Sequence, residues 1–389
     1  MTESKEARPA HFGFAEEEVM LRDLARKFLD EHFPVQRLRE LVALDSDAAY
    51  TRGERSPWDE TLWKQMVELG WTGLAVPESC GGIDFSLAGV AGLVEELGRH
   101  ALPSPLVPTL IATYVLRECE APSTFLKAIA DGQSCSLAIT NQAGDWDLTA
   151  CDVEGEDAED GLTLNGHAYF VQDAFKSEFF LIGAKSHDEL ALCAIPKDTA
   201  GLHLHQDHIH DLTRDQATLE LKNVTVPKAS IVSRHGTPAL ERAWPAILTL
   251  VAADLCGSAE WQLMTTVKYA QDRSQFERPL GFFQAVKHPL VNAMIEIDHA
   301  RSLLYHAACE IDAGAEDGLT PARMAKSQAS DAGAFMSDRS VQLHGGYGFT
   351  WEADLHLYFK RSLHNQALYG DAAFQRARIA ETLIGPIPR

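Results

Sequence analysis

Tyr269-Ala-Gln-Asp-Arg273-Ser-Gln275-Phe276-Glu-Arg-Pro279-Leu-Gly281-Phe-Phe-Gln284-Ala-Val-Lys287-His288 joins two long apolar segments, and its reading decides the fold. Upstream, Leu248 to Gln271 is predicted as a long, largely apolar helix ending in polar residues. Pro279 and Gly281 break the chain. From Phe283 onward, Val286, Leu290, Met294, Ile297, Leu304 and Ile311 keep mostly three- or four-residue steps or their multiples, one apolar stripe of a helix in a bundle. Between the two helices, the Arg273 guanidinium matches phosphate oxygens in a bidentate fork. Phe276 can cover an aromatic ring, and Gln275 and Gln284 offer amide donors. Arg273 alone reads equally well as a surface arginine at a charged helix end. The whole combination is specific.

A second stretch, Gln342-Leu343-His344-Gly345-Gly346-Tyr347-Gly348-Phe349, places glycines where a backbone can approach a phosphate or ribose closely. A lone Gly-Gly would read as a helix C-cap. It is not a dinucleotide fingerprint of the strand–turn–helix kind, since neither spacing nor context is present.

Both stretches resemble the acyl-CoA dehydrogenase family, and so does the N-terminal piece ending Glu95-Glu96-Leu97-Gly98-Arg99. The resemblance covers nearly the whole chain. It implies an α+β fold with an N-terminal helical domain (1–132), a middle β-domain (133–235) and a C-terminal four-helix-bundle domain (236–389). It also implies FAD, held mainly by the neighbouring subunit, with Arg273, Gln275, Phe276, Gln284, Gln342, Leu343, Gly345 and Gly346 reaching its adenosine and pyrophosphate half.

Two departures from the family pattern stand out. The family's base is a Glu just before a Gly near the C-terminus; here Tyr369 precedes Gly370. The family's other seat for the base falls on Ile247. A tyrosine starts near pKa 10 and burial raises it, which makes a poor general base. Asp371 is a weak candidate, because two helical steps turn about 200° away from the same target. The second departure is on the chain's own flavin side. Where the family reads Thr-Glu-Pro-x-Ala-Gly-Ser, this chain has Thr140-Asn141-Gln142-Ala143-Gly144-Asp145-Trp146; a further segment appears as Phe170-Val171-Gln172-Asp173, a Gln in place of the Thr that serves the flavin. Thr140 and Phe170 are what is left of that side.

Composition sets outer bounds. With 389 residues the chain is expected to form two or three domains. Lys plus Arg number 34 against 56 Asp plus Glu, a net charge of −22 that disfavours nucleic acid and anionic membranes as partners. The opening Met1 to Pro9 has no apolar leader, so a cytoplasmic protein without membrane insertion is expected. The seven cysteines are scattered, without a CxxC pair, as expected of small buried residues. Val19, Leu21, Leu24, Phe28 and Leu29 predict one helix face; Leu62, Met66 and Leu69 predict another. Short strand-like runs such as Leu162–Gly166, Phe179–Gly183, Leu190–Ile195 and Ala217–Lys222 mark the β-domain. Asn165-Gly166 reads as a tight turn, and the acidic run from Asp152 to Asp160 as a solvated loop. His203 and His205 share a strand face, but no acidic or Cys partner has a recognised spacing, so no metal site is expected.

An intact far half, an eroded near half and no base predict the base-lacking subunit of a heteromeric acyl-CoA dehydrogenase. Gly345 to Tyr358, with Asp211-Leu-Thr-Arg214, is similar to such subunits from bacterial steroid and dicarboxylate breakdown. The resemblance implies α,β-dehydrogenation of an acyl-CoA, a partner subunit carrying the Glu, an electron-transfer flavoprotein as acceptor, and a tetramer. Two other readings stay open: a base-free flavin monooxygenase or oxidase of the same superfamily, and a non-enzymatic scaffold.

Overall fold

The computed structural model describes residues 15–43 and 57–385, apart from Asp147, Thr149 and Asp188. The N-terminal stretch read above for a leader lies outside the described residues, as do the extreme ends of the outer two domains. Among the described residues, helices come first: α1 (Glu16–His32), α2 (Val35–Val42), α3 (Glu60–Glu68), α4 (Leu87–Arg99), α5 (Leu106–Arg117) and α6 (Ser123–Ala130). Their ends follow from local chemistry. The Asp59 carboxylate accepts from Thr61 N and Leu62 N to start α3, and Ser86 Oγ accepts from Gly89 N to start α4. Asp312, distant in sequence, also accepts from Leu87 N and Ala88 N at 2.7 and 3.0 Å.

An eight-stranded sheet follows, built from β1 (Cys135–Ala138), β2 (Asp152–Ala158), β3 (Gly161–Gln172), β4 (Phe179–Ser186), β5 (Glu189–Pro196), β6 (Leu202–Gln206), β7 (Gln216–Pro227) and β8 (Ile231–Ser233). The order is β6-β7-β3-β2-β4-β5-β8, with β1 parallel to β4. Two expectations fail here. Asp152–Ala158 is a strand, antiparallel to β3, with Val153 buried and most of its charged side chains exposed. Asn165-Gly166 lies inside β3 at a bulge instead of forming a turn. Gly166 has φ +126°, and a Cβ there would come within 2.1 Å of Asp152 O, so the glycine serves close strand approach. A second bulge between Ala168 and Val171 re-aims Phe170 and Gln172, the two positions on the chain's own flavin side.

The C-terminal helices are α7 (Gly236–Asp272), α8 (Gln284–Asp312), α9 (Leu319–His344), α10 (Leu355–Ala367) and α11 (Ala372–Ile384), with a hairpin of β9 (Ser274–Gln275) and β10 (Arg278–Pro279) between the first two. Helix α7 starts twelve residues before the Leu248 expected from the sequence. Pro238 sits in its first turn, where a missing N–H is harmless, and Pro245 is accommodated inside the helix. Helices α4 and α7 cross in contact: a Cβ on Gly98 would lie 2.2 Å from Asp254 O, and one on Gly257 would lie 1.8 Å from Glu95 O. This crossing fixes where Asp254 stands. On α8 the buried stripe is Leu290, Ala293, Ile297, Ala300 and Leu304, completed by alanines, while Met294 is exposed. Leu24 of α1 is likewise exposed, with Ala25 and Leu29 turned inward. Among the described residues, no helix is long and apolar enough to cross a membrane.

Candidate functional site

Tyr369, the position expected from the sequence to correspond to the family's base, lies on the short link between α10 and α11. Tyr369 (φ 56°) and Gly370 (φ 92°) are both left-handed, which turns the chain sharply. The link is held from all sides. Lys326 Nζ, buried on α9, donates to Gln366 O, Gly370 O and Ser330 Oγ, each at 3.0 Å. Burial draws that lysine's pKa down to about 7. Gln375 Nε2 donates to Tyr369 O at 2.6 Å, and Ser327 Oγ to Ala372 O at 3.3 Å.

The Tyr369 ring is packed between two indoles, Trp146 at 5.0 Å and Trp244 edge-on at 5.5 Å. Burial pushes its phenol well above the ordinary value, outweighing the nearby Arg214, so the group stays protonated and is no base. Ile247, the alternative seat, is fully buried on α7. Asp371 is not on a helix with Tyr369, as the sequence reading supposed. It is the N-cap of α11, its carboxylate accepting from Phe374 N at 2.8 Å. A capping carboxylate is committed to the helix end. Neither Tyr369 nor Ile247 thus offers a free carboxylate.

Tyr369 faces a small cavity of about 20 Å³, walled mostly by apolar side chains such as Val107, Ile111, Leu137 and Val251, with Gln172, Arg214, Asp254 and Asn365 as its polar residues. That is room for about one water. Gln172 helps to close it: its Oε1 accepts from His364 Nε2 at 2.6 Å, and its Nε2 donates to Phe170 O and Gln216 Oε1, both at 2.9 Å. All of the amide's reach is spent on protein. Thr140 is bound into the sheet, its carbonyl accepting from Tyr169 N at 2.9 Å. Phe170 has φ 57°, and its ring edge lies 3.3 Å from where a Gly144 Cβ would be. The near half of the flavin site, read from Thr140 and Phe170, is therefore folded in on itself.

The far half has the opposite character. Tyr269, one turn before Arg273, stacks on His344, the residue before Gly345, with ring centroids 4.1 Å apart. This contact brings together two motifs about seventy residues apart. Arg273, Gln275, Gln284, Gln342, Gly345 and Gly346 are all exposed, and Leu343 is half-buried. A Cβ added at Gly345 or Gly346 would meet nothing within 4 Å, and Gly345 itself has φ 60° with ψ −139°. The β9–β10 hairpin carries Phe276 (φ 53°) and Glu277 (φ 59°) at its tip, with Phe276 87% exposed. Two non-glycine residues in the left-handed region, one of them a bare aromatic, are a costly way to end a hairpin. Phe283 supports the tip, edge-on to both Phe276 and Phe282. Phe349, across the glycine turn, is 77% exposed. Beside it lies a cavity of about 430 Å³ lined by Gln342, Phe349, Trp351, His356 and Lys360 among others.

Sequence reasoning missed Lys326, His364 and Trp146. A lone lysine in the small-residue run Ala325-Lys326-Ser327-Gln328-Ala329-Ser330 was the available signal for the first. His203 and His205 stand exposed on β6, His205 Nε2 3.0 Å from Glu220. Among the described residues, no three His, Cys, Asp or Glu side chains are grouped to hold a metal ion.

Comparison with known proteins agrees with this geometry. The acyl-CoA dehydrogenase N-terminal domain family matches residues 15–132, and the corresponding C-terminal domain family matches residues 249–384. Acyl-CoA dehydrogenase IpdE2 of Mycobacterium tuberculosis is 31% identical over 349 residues, covering 89% of this chain and 91% of its own length. IpdE2 of Mycolicibacterium smegmatis is 28% identical over 366 residues, covering 94% and 98%. A variant of the steroid ACAD Tcur3481-Tcur3483 superposes with a TM-score of 0.83 at 31% identity, over 95% of this chain and 98% of that one. The ChsE4-ChsE5 complex from Mycobacterium tuberculosis shares the fold, with a TM-score of 0.86 at 23% identity over 97% and 100%. The chain belongs to the acyl-CoA dehydrogenase family.

Proposed function

We propose that this chain is the base-lacking subunit of a heteromeric acyl-CoA dehydrogenase, and that it serves an FAD seated mainly on an unlike partner. The observation that carries the reading is the contrast between its two half-sites. Acyl-CoA dehydrogenases are FAD-dependent flavoproteins. The far half fits an anionic dinucleotide: Arg273 offers a fork for phosphate oxygens, Gln275, Gln284 and Gln342 offer amides, and the Gly345-Gly346 backbone is open to close approach. The near half does not fit the flavin in the conformation described. Gln172 is spent on His364, and Trp146 lies against Tyr369.

FAD, when bound, supplies the hydride acceptor of the dehydrogenation. This chain's part is to bind and orient: Arg273 neutralises phosphate charge, and Phe276 and Phe349 exclude water from the shared face. The α-proton is removed by the partner's carboxylate, because Tyr369 stays protonated, Asp371 is committed to a helix end and Ile247 has no proton to exchange. The acyl group is chosen by the partner's cavity; the likeness to a steroid ACAD supports a setting in steroid or other lipid breakdown, and membership of the family implies an electron-transfer flavoprotein as acceptor. The same likeness, to the Tcur3481-Tcur3483 pair, supports an assembly of unlike subunits.

The test is reconstitution. Co-expressed with a partner of the same family that carries the Glu, the chain is expected to copurify in a tetramer that oxidises an acyl-CoA. Changing the partner's Glu to Gln should abolish turnover while Tyr369→Phe leaves it intact. Turnover by this chain alone would overturn the assignment.

A further inference from the structure

Six ionisable side chains are buried together at the seam between the sheet and the C-terminal helices. Asp173, Lys176, Arg214 and Asp215 come from the sheet domain, Asp254 from α7 and Arg361 from α10; none is more than 4% exposed. They form a continuous chain of alternating charge. Lys176 Nζ lies 2.5 Å from Asp173 and 3.0 Å from Asp215. Arg214 then donates to Asp173 at 3.0 Å and to Asp254 at 2.8 Å, crossing the seam. Arg361 grips both oxygens of Asp254 in a fork, at 2.9 and 2.6 Å, and reaches back to Thr213 Oγ1 at 2.9 Å. Asn365 Nδ2 donates to Asp254 as well, at 2.7 Å. Thr213 is itself held by Asp211, which accepts from its N and Oγ1 at 2.8 Å. The segment Asp211-Leu-Thr-Arg214, distinctive in the sequence, is thus one arm of the cluster.

Along the chain three carboxylates face three cations, and the buried Asp211, beside it through Thr213, adds a fourth carboxylate. Burial would raise Asp173 and Asp254, but the adjoining cations outweigh it and hold both below the usual carboxylate range. Such pairs add little net stability, because desolvation offsets attraction. Separating them without water is a different matter, costing several kcal/mol for each stranded charge. Arg214, Asp254 and Asn365 also wall the cavity that Tyr369 faces. An α-proton base at position 369 must touch the α-carbon of its substrate, so this cavity is the chain's own acyl seat. Its largely apolar wall is interrupted by the charged Arg214 and Asp254, it is the size of a water, and two of its buried polar atoms, Arg214 Nε and Asn365 Oδ1, have no partner. An apolar acyl chain satisfies none of them.

We propose that the Asp173–Arg214–Asp254–Arg361 chain is a fixed clasp that shuts acyl-CoA out of this subunit's own seat, with Arg214 as the residue that sets the exclusion. The proposal deepens the half-site reading and rests on it for one point, that the seat it closes is the one left unused. The clasp acts through polarity and through the seam, and Tyr369 only fills what space remains.

The experiment compares three full-length proteins for binding octanoyl-CoA by titration calorimetry, with hydrogen exchange to locate any effect. Wild type should show no binding in its own seat at about 1 mM ligand. Tyr369→Gly, which removes the ring but leaves the clasp, should behave like wild type. Adding Asp173→Asn and Arg214→Met removes one charge of each sign and leaves Lys176–Asp215 and Arg361–Asp254 paired. This triple variant should bind at least about tenfold more tightly than Tyr369→Gly, with exchange slowed over 208–216 and 361–370. Equal binding by Tyr369→Gly and the triple variant would overturn the clasp. Should the triple variant not fold, hydrogen exchange on wild type decides: no change over those segments with octanoyl-CoA supports the clasp, and marked protection there contradicts it. Flavin retention by the copurified complex is read on separate samples through the Arg273 face. Its loss would count against the half-site reading and leave the clasp standing.

Discussion

Gln172 accepts a hydrogen bond from His364 at 2.6 Å, tying the end of β3 to the last turn of α10 across 192 residues of sequence. The position at which the family's hydroxyl serves a flavin is here a strut between two domains of the protein itself. His364 must donate through Nε2, and because burial favours the neutral ring, the proton of that neutral ring sits on Nε2.

That strut predicts a pH dependence. Burial, opposed by Asp211 and reinforced by Arg214, draws His364 down to about 4, below its unfolded value near 6.5. As pH falls below 6.5 the unfolded chain takes up a proton that the folded one refuses, so stability is full above 6.5 and is lost as pH falls towards 4, by on the order of 2–3 kcal/mol. His364→Gln should flatten part of this slope. Urea midpoints at pH 7 and pH 5 should fall further for wild type than for the variant; parallel falls would mean that His364 is not buried neutral. His356, held down to about 4 in the same direction by burial and Lys360, contributes equally to both proteins and cancels.

Tyr369→Glu restores the missing carboxylate but not a seat for substrate. The isolated variant should stay below about one hundredth of the complex's turnover with an acyl-CoA and an artificial acceptor, the scale on which a lone acid–base group works. Robust turnover would show that the cavity beside Gln172 opens readily.

Arg273→Ala should cost the complex flavin with little change in folding, because Arg273 is exposed. A charge-assisted hydrogen bond contributes about 1.5–3 kcal/mol, so FAD should be held roughly 10- to 150-fold more weakly. Arg273→Lys should recover only part, lacking the planar fork. Flavin content per complex after gel filtration is the readout, and an unchanged value in the Ala variant would remove Arg273 from the site.

Phe276 offers a sharper separation of stability from assembly. Its left-handed backbone suits Asn far better than an aromatic. Phe276→Asn should therefore leave the isolated chain as stable or up to about 1 kcal/mol more so, while weakening association with the partner. Thermal melting and sedimentation of the same preparation report the two effects. A variant that is destabilised yet assembles normally would make Phe276 a folding residue.

The sequence carried the element pattern well where a strand is buried on both faces. Phe179–Ser186 and Glu189–Pro196 were visible as the short apolar runs Phe179–Gly183 and Leu190–Ile195. It misled where the pattern is sparse or ambiguous. Asp152–Ala158 buries only Val153, so its charge hid the strand, and Asn165-Gly166 looks the same whether it turns a chain or bulges one. Met294 shares a spacing with Leu290, yet small alanines fill the true stripe. The half-site proposed on Arg273 and Gly345 could be read from the sequence because its residues lie in two short runs. The closure of the other half was not: Gln172, His364, Arg214 and Asp254 come from four distant elements, and only folding shows that they meet.

Flavin absorbance per chain tests the central claim most directly. A chain that completes only the far half of a shared site should be nearly colourless alone. In a tetramer of two copies with two partners, about one FAD should be found for every two chains, each between unlike subunits. That stoichiometry is the predicted result. One full FAD per copy of the chain alone, bleached by an acyl-CoA, would contradict it and restore an ordinary homomeric dehydrogenase.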